Sequence, residues 1–206
     1  TIFGVVVCLA CNLFARQMLE MLNTKEELMD GAVLYLKIFS LGMPAMAIYN
    51  CGNGVMSAAG DTRRPLLYLT IAGALNVALN LFFVIGLHMA ADGVALASAI
   101  AQCVSAALIV AHLLRRKDSC RLDLRKLRIH KMASKRILMM GVPSGLQNAI
   151  FAIANLFVQV GVNSFDAIMV SGNAAAANAD TLVFNMMGAF YTACASFVSR
   201  NWGAGH

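Results

Sequence analysis

The chain has 206 residues, of which 60% are hydrophobic and only 13% are charged, and its net charge is +6 at pH 7. A soluble domain of this size needs more polar surface than this composition supplies, so we predict a protein that lies within a lipid bilayer. A basic chain can also indicate nucleic-acid binding. Here, however, the basic residues fall in short segments beside apolar runs, as the positive-inside rule requires, so we expect no nucleic-acid partner.

Six apolar runs are each long enough to cross the hydrocarbon core of a bilayer as a helix, for which about 20 residues are needed. The runs are Ile2 to Leu22, Leu28 to Ala58, Pro65 to Leu87, Gly93 to Leu114, Ile137 to Val162 and Ala174 to Val198. We therefore predict an all-α polytopic membrane protein with six transmembrane helices. The chain starts inside the first run without a charged segment before it, so we expect a piece of a longer protein rather than a signal peptide.

The basic residues predict the orientation of these helices. Residues 115–136 contain ten of the sixteen Lys and Arg side chains, and thirteen of the sixteen fall on one side of the membrane once the six spans are drawn. Because cytoplasmic loops carry the excess of Lys and Arg, we predict that this side faces the cytoplasm of a plasma membrane. The predicted cytoplasmic segments are 59–65, 115–136 and 199–206. Leucines among the cations of 115–136 predict that part of this segment lies on the membrane surface against anionic lipid.

The second, third and fourth spans carry polar or helix-breaking residues. Pro44 predicts a kink, because proline removes a backbone hydrogen bond. Asn76 and Asn80 are one helical turn apart and therefore share a face. Amides facing lipid are unfavourable, which leaves two interpretations open: the two side chains bond across helices, or they line a water-filled path. Ser98 and Gln102, also four residues apart, are interpreted as interhelical hydrogen-bonding residues.

Polar residues also interrupt the fifth and sixth spans. Asn148, Asn155 and Gln159 are spaced seven and four residues apart, so they form one polar seam, which is typical of a helix beside a wet cavity. Asp180 is the only carboxylate that we place within the hydrocarbon. An ionisable group at that depth indicates a functional site, and a carboxylate that reaches the outer interface from a helix end is the alternative.

No cluster of residues predicts a metal site or an enzyme. The six cysteines lie in apolar runs or, for Cys120, in the basic segment, and we interpret them as reduced packing residues. Cys8 and Cys11 have C-x-x-C spacing, but no second pair or histidine is near them in the sequence. The four histidines are scattered over different loops and helix ends, which does not favour a membrane enzyme.

The stretch from Tyr49 to Asn80 resembles the fourth and fifth helices of multidrug and toxic compound extrusion (MATE) transporters. That family carries Tyr-Asn, then Gly-Asp-Thr and Pro at a cytoplasmic turn, then Asn-x-x-Leu-Asp. The corresponding residues are Tyr49, Asn50, Gly60, Asp61, Thr62, Pro65, Asn76, Leu79 and Asn80. The runs GVALASAIAQ, GVPSGLQ, VQVGVNSF and SFVSRNWGAG are similar to the family's sixth, seventh and eighth helices and occur in the same order.

The resemblance implies helices three to eight of a two-lobe, twelve-helix transporter. Residues 1–114 would then belong to the amino-terminal lobe, 115–136 would connect the lobes in the cytoplasm, and 137–206 would begin the carboxyl-terminal lobe. The resemblance also implies a secondary antiporter that exports small amphipathic or cationic compounds against protons or sodium. Such a transporter works by alternating access of its two lobes and needs no cofactor.

We expect six polar side chains to line the transport pathway. They are Asn50, Asn76 and Asn80 in the amino-terminal lobe, and Asn155, Gln159 and Asp180 in the other lobe. Asp180 would attract a cation. Asn80 replaces the acid of the family's fifth helix, and Phe151 replaces a glutamate that binds sodium in one branch of the family. These two departures count against the family's cation sites in their usual form.

Three other interpretations remain open. A lipid-linked precursor flippase of the same wider superfamily would share the fold, but it would line its cavity with Lys or Arg to hold a pyrophosphate. No predicted span carries such a residue at mid-depth. A membrane enzyme and a structural scaffold are the other two, and polar seams in otherwise apolar helices favour a pathway over either of them.

Overall fold

The computed structural model describes residues 2–21, 26–117, 121–123, 128, 130–162 and 167–205. In this part of the chain the regular structure is helical, without strands. The α-helices are α1 (Ile2–Met21), α2 (Glu26–Leu41), α3 (Met43–Ala58), α4 (Arg63–Leu81), α5 (Ala91–Arg115), α6 (Lys131–Val162) and α7 (Ala167–Gly203). Helix α4 continues into a π-helical turn at Phe82–Gly86. The predicted all-α class is confirmed.

Six helical segments within the described residues are long and apolar enough to cross a membrane, and they match the six predicted spans in order. They are Ile2–Glu20, Met29–Ala58, Arg63–Gly86, Ala91–Arg115, Lys131–Val158 and Ala175–Gly203. Large apolar side chains lie exposed along the outside of the helices, including Phe3, Leu66 and Phe157. Such a surface is favourable in lipid and unfavourable in water. The protein is therefore an integral membrane protein.

The helices extend further into the basic segment than predicted. Helix α5 includes Arg115 and α6 begins at Lys131, so both ends of the predicted loop 115–136 are helical. Lys and Arg have high helix propensity, and no Gly or Pro occurs at either end of the segment to stop a helix. Residues 118–120, 124–127 and 129 of this segment lie outside the described residues.

One apolar residue of the basic segment packs on protein. The Leu122 backbone N–H donates to the Leu113 carbonyl oxygen at 3.0 Å. The Leu122 side chain is partly buried against a cluster that includes Met56, Ile109 and Leu113. Leu122 therefore packs on protein where the chain folds back over the end of α5, and contact of the basic segment with the membrane surface stays a prediction.

The chain divides into two compact units. The amino-terminal unit is Thr1–Asp123 and the carboxy-terminal unit is Leu124–His206. The boundary falls within the segment that we predicted to connect two lobes. The correspondence between these units and the lobes stays a prediction.

Helix α5 is the central helix of the amino-terminal unit, where it packs against α2, α3 and α4. Its buried face is made mostly of small residues, and small side chains let helix backbones approach closely. These residues are Gly93, Ala95, Ala97, Ala101, Ser105, Ala106, Ile109 and Leu113. On the facing helix α3, a Cβ atom on Gly52 would lie 3.0 Å from the Ile109 side chain. Small residues therefore form a close helix interface in this unit.

The helix break between α2 and α3 lies at Gly42, next to the predicted kink. The Gly42 N–H donates to the Phe39 carbonyl oxygen at 3.0 Å, and α3 then begins at Met43. Pro44 occupies the first turn of α3, where its missing N–H costs little. A Cβ atom on Gly42 would collide with the Gln102 side chain of α5, so glycine is required here for close packing.

The carboxy-terminal unit consists of α6 and α7 in its described part. The spanning portions of both helices contain no buried residue. Their large apolar side chains are more than half exposed, as for Phe151, Leu182 and Phe190. This unit therefore buries little surface by itself.

Candidate functional site

The two amides predicted on α4 form a hydrogen-bonded relay that reaches α5. Asn80 Nδ2 donates to Asn76 Oδ1 at 3.1 Å. Asn76 Nδ2 donates to Ser98 Oγ at 3.3 Å, and Ser98 Oγ donates to the Val94 carbonyl oxygen at 3.0 Å. Of the two interpretations left open for this pair, the structure shows the interhelical bond for Asn76.

A groove of about 310 Å³ lies beside this relay, between α4, α5 and the end of α2. Four of its lining residues are polar and the rest are apolar or small, as is typical of a pocket that binds small amphipathic molecules. The lining residues are Phe39, Leu69, Ala72, Gly73, Asn76, Ser98, Ala101, Gln102 and Ser105. The predicted residue Asn76 therefore lies at the edge of a cavity large enough for a small ligand group.

Two buried oxygen atoms in this region have no hydrogen-bond partner within the described part of the chain. They are Asn80 Oδ1, at the start of the relay, and Gln102 Oε1, in the groove lining. Leaving a buried acceptor unpaired costs about 1–3 kcal/mol, so each oxygen favours a hydrogen-bond donor from water or a ligand. The second interpretation, a water-filled path, therefore also has support, at Asn80 in the relay and at Gln102 in the groove.

The interpretation of Ser98 and Gln102 as interhelical hydrogen-bonding residues is confirmed for Ser98, which accepts from Asn76 of α4. Gln102 Oε1 instead has no partner among the described residues. The Gln102 side chain lies against Gly42, at the break between α2 and α3. The sequence feature that could have identified Gln102 as a site residue is an amide side chain within a run of small residues.

The remaining predicted residue of this unit, Asn50, lies exposed on α3 and does not line the groove. Its neighbour Tyr49 is 7% exposed and connects α3 to the start of α4, because its hydroxyl donates to the Pro65 carbonyl oxygen at 2.9 Å. The Tyr-Asn pair therefore combines a packing residue with an exposed amide. The sequence interpretation did not identify the role of Tyr49.

A second interhelical contact, also not predicted, joins α1 to α2. Asn12 Nδ2 donates to Ser40 Oγ at 2.7 Å and to the Cys8 carbonyl oxygen at 2.9 Å. Ser40 is fully buried and donates to the Lys37 carbonyl oxygen at 2.8 Å. Asn12 Nδ2 and Ser40 Oγ thus each donate to an acceptor within the unit, so we interpret this contact as one that stabilises the packing of α1 against α2.

The predicted residues of the carboxy-terminal unit are exposed within that unit where the structure describes them. Asn155 lies on α6 and Asp180 on α7. The Gln159 side chain lies outside the described residues. Phe151, at the position of the family's sodium-binding glutamate, is 59% exposed on α6 and has no oxygen ligand to offer. Among the described residues, no three His, Cys, Asp or Glu side chains lie close enough together to hold a metal ion.

Comparisons with known proteins agree with these observations. A family model described as MatE matches residues 1–82. The chain is 28% identical over 193 residues to "Probable multidrug resistance protein YpnP" of Bacillus subtilis, covering 92% of this chain and 42% of that protein. It is 29% identical over 160 residues to "Probable multidrug resistance protein NorM" of Acinetobacter baylyi, covering 75% of this chain and 34% of that protein.

A solved structure shares the fold. The crystal structure of MATE in the bent conformation matches with a TM-score of 0.77 and 24% sequence identity, over 88% of this chain and 41% of that one. The predicted fold type is therefore confirmed. The chain spans less than half the length of the curated relatives and of the solved structure described here.

Proposed function

We propose that this chain is a member of the MATE family and forms part of a secondary multidrug transporter of the plasma membrane. The proposed activity is the export of small amphipathic or cationic compounds by alternating access. Inward flow of protons or sodium would drive it, without a bound cofactor and without enzymatic chemistry. The match of residues 1–82 to the MatE family model and the names of two relatives, both probable multidrug resistance proteins, support this choice.

The observation that carries the proposal is the amide relay with its unpaired oxygens. A contact that served packing alone would pair its buried atoms, as Asn12 and Ser40 do. The relay instead leaves Asn80 Oδ1 without a partner among the described residues, and Gln102 Oε1 in the groove is in the same condition. We assign these oxygens to transient donors, such as water, a hydrated cation or the ammonium group of a transported compound.

The charge of the groove favours this assignment over a flippase. None of the nine groove residues is Lys or Arg, so the groove has no cation to hold a pyrophosphate. None is Asp or Glu, so an ammonium group there would be held by amide and hydroxyl dipoles. The full negative charge would come from elsewhere in the transporter, and we propose Asp180 for it, with Asn155 and Gln159 as further polar residues of the pathway.

The proposed orientation places 59–65, 115–136 and 199–206 in the cytoplasm, with anionic lipid near the basic segment. The positive-inside distribution of Lys and Arg supports this arrangement. Impermeant thiol labelling of single cysteines in these segments, in intact cells and in inverted vesicles, tests it.

An efflux assay on the full-length transporter tests the pathway role of the relay. In Asn80→Leu, the acceptor oxygen is replaced by an apolar group of similar size. We expect efflux of a small cationic dye, per molecule of protein in the membrane, to fall about tenfold, because a hydrogen bond to a charged group contributes about 1.5–3 kcal/mol.

Asn12→Leu is the matched control, since it removes an amide of the same unit whose Nδ2 bonds Ser40 and the Cys8 carbonyl oxygen. It is expected to lower the amount of folded protein while leaving efflux per molecule within about twofold. Unchanged efflux in Asn80→Leu, or equal losses per molecule in both variants, would refute the pathway assignment. Repeating the assay under separate proton and sodium gradients identifies the coupling ion.

A further inference from the structure

A histidine at the basic end of the amino-terminal unit joins two helices through an arginine. Arg64 Nη1, in the first turn of α4, lies 3.2 Å from His112 Nε2, in the last turn of α5. The Tyr68 ring of α4 packs against the same imidazole, with 6.0 Å between ring centroids and an interplanar angle of 52°. The start of α4 is thus held to the end of α5 by side chains separated by 48 positions in sequence.

A hydrogen bond between these two groups requires one form of the imidazole. A guanidinium group only donates hydrogen bonds, so His112 Nε2 would have to be the acceptor. The ring would then be neutral, with its proton on Nδ1. A protonated imidazole would donate from both nitrogens and would present an N–H and a positive charge to the Arg64 guanidinium.

Charged groups lie around this contact. Those that act on the imidazole are Arg64 from α4, Arg116 just beyond α5 and Asp61 from the turn before α4. In the described part of the chain, the Tyr68 phenol also belongs to a ring that packs against it. The Asp61 carboxylate binds Arg64, with Oδ2 at 3.2 Å from Nη1 and Oδ1 accepting from the Arg64 backbone N–H at 3.3 Å. Arg64 Nη1 is thus shared between the Asp61 carboxylate and the His112 ring.

The turn between α3 and α4 is hydrogen-bonded to α3. Gly60 has φ +87°, a left-handed conformation that favours glycine, and its N–H donates to the Ser57 carbonyl oxygen at 3.0 Å. The Asp61 N–H donates to the Met56 carbonyl oxygen at 2.9 Å. Loss of the bond between Arg64 and His112 would leave these α3 bonds intact and would remove one side-chain link between the start of α4 and the end of α5.

We propose that Arg64 and His112 form a proton-sensitive clamp, closed while His112 is neutral and open once its imidazole takes up a proton. Histidine is the side chain whose charge ordinarily changes near physiological pH. The clamp lies beside the point where Leu122 folds back on Leu113, so its opening would loosen the exit of the chain from this unit. The proposal does not depend on which compound is transported.

Spin-label spectroscopy on the full-length protein, depleted of cysteines and reconstituted in liposomes with equal pH on both sides, tests the clamp. The label is placed at Thr62→Cys, because Thr62 is exposed and its side chain makes no capping hydrogen bond. We expect broad lines from an immobilised label at pH 8 and narrower lines from a mobile label at pH 5.5. A label at Val77→Cys, exposed in the middle of α4, should give the same spectrum at both pH values.

Two substitutions of the histidine give opposite expectations. His112→Gln keeps an acceptor for Arg64 but does not titrate, so its spectrum should match the pH 8 spectrum of the parent protein at both pH values. His112→Lys carries a permanent charge and should give the mobile spectrum at both. Arg64→Met, which removes the other partner, should also give the mobile spectrum at both and replaces the Lys variant if that protein does not fold. A parent spectrum that does not change with pH, or a Gln variant that still responds, overturns the proposal.

Discussion

The two units of this chain use the same kinds of residues in different ways. In the amino-terminal unit, Gly4, Gly42 and Gly52 each lie where a side chain would meet a neighbouring helix, whereas Gly31, Gly54 and Gly73 face open space. In the carboxy-terminal unit, the described helical glycines, such as Gly141 and Gly188, all face open space. Some glycines of the first unit therefore lie at helix interfaces, whereas those described in the second unit lie at no interface within that unit.

The polar residues differ in the same way. Asn12, Asn76 and Asn80 bond to other side chains of the amino-terminal unit. Asn155 and Asp180 are exposed within the carboxy-terminal unit. An amide in an apolar helix is thus hydrogen-bonded to another side chain at Asn12, Asn76 and Asn80 but exposed at Asn50 and Asn155, and its sequence context does not distinguish the two cases.

The largest effect on stability that this comparison predicts is for Gly4→Ala. A Cβ atom there would lie 2.9 Å from the Met43 carbonyl oxygen and 3.0 Å from Pro44 Cα, and backbone atoms cannot move aside easily. We expect the free energy of unfolding, measured by SDS titration of the full-length protein in mixed micelles, to fall by about 1–3 kcal/mol.

Gly141→Ala in α6 is the matched control, since nothing lies within 4 Å of its added Cβ atom. Alanine is favoured over glycine in a helix by about 0.5–1 kcal/mol, so this variant should be unchanged or slightly more stable. Equal destabilisation by both substitutions would remove the proposed difference between the units.

An intermediate effect is expected for Tyr49→Phe. The substitution removes the buried hydroxyl that bonds the Pro65 carbonyl oxygen and leaves that oxygen without this donor. Loss of such a bond should lower the free energy of unfolding by about 1 kcal/mol. Tyr191→Phe in α7, where the side chain is 77% exposed, should leave it unchanged in the same titration. A similar loss in the two variants would show that α7 is packed as tightly as α3.

The smallest effect on stability is expected for Asp180→Asn. The side chain is exposed within its unit and the replacement has nearly the same shape. The free energy of unfolding should therefore stay within about 0.5 kcal/mol of that of the parent protein. Export of cationic compounds by the full-length protein should nevertheless fall, because the proposed charge is gone. Drug resistance of expressing cells, compared with protein abundance on the same blots, separates the two effects. Resistance equal to that of the parent protein would exclude Asp180 from cation attraction.

Part of the site could be predicted from the sequence because it depends on local spacing. Asn76 and Asn80 share a face of one helix, and their mutual bond follows from a separation of four residues. The bond from Asn76 to Ser98 and the unpaired state of Gln102 could not be predicted, since both depend on how α2 and α5 pack against α4. The contact between Arg64 and His112 escaped prediction for the same reason.

The sequence by itself determined the six spans, the membrane environment and the resemblance to a transporter family. Bilayer thickness sets the length of an apolar run, and the family's motifs are contiguous in the chain, so both can be recognised without coordinates. Only the tertiary structure decided which amides are paired, which glycines are required and where α2 ends. Those properties depend on side chains from helices far apart in sequence, such as Gly42 and Gln102, whose contact exists only once α3 and α5 have packed together.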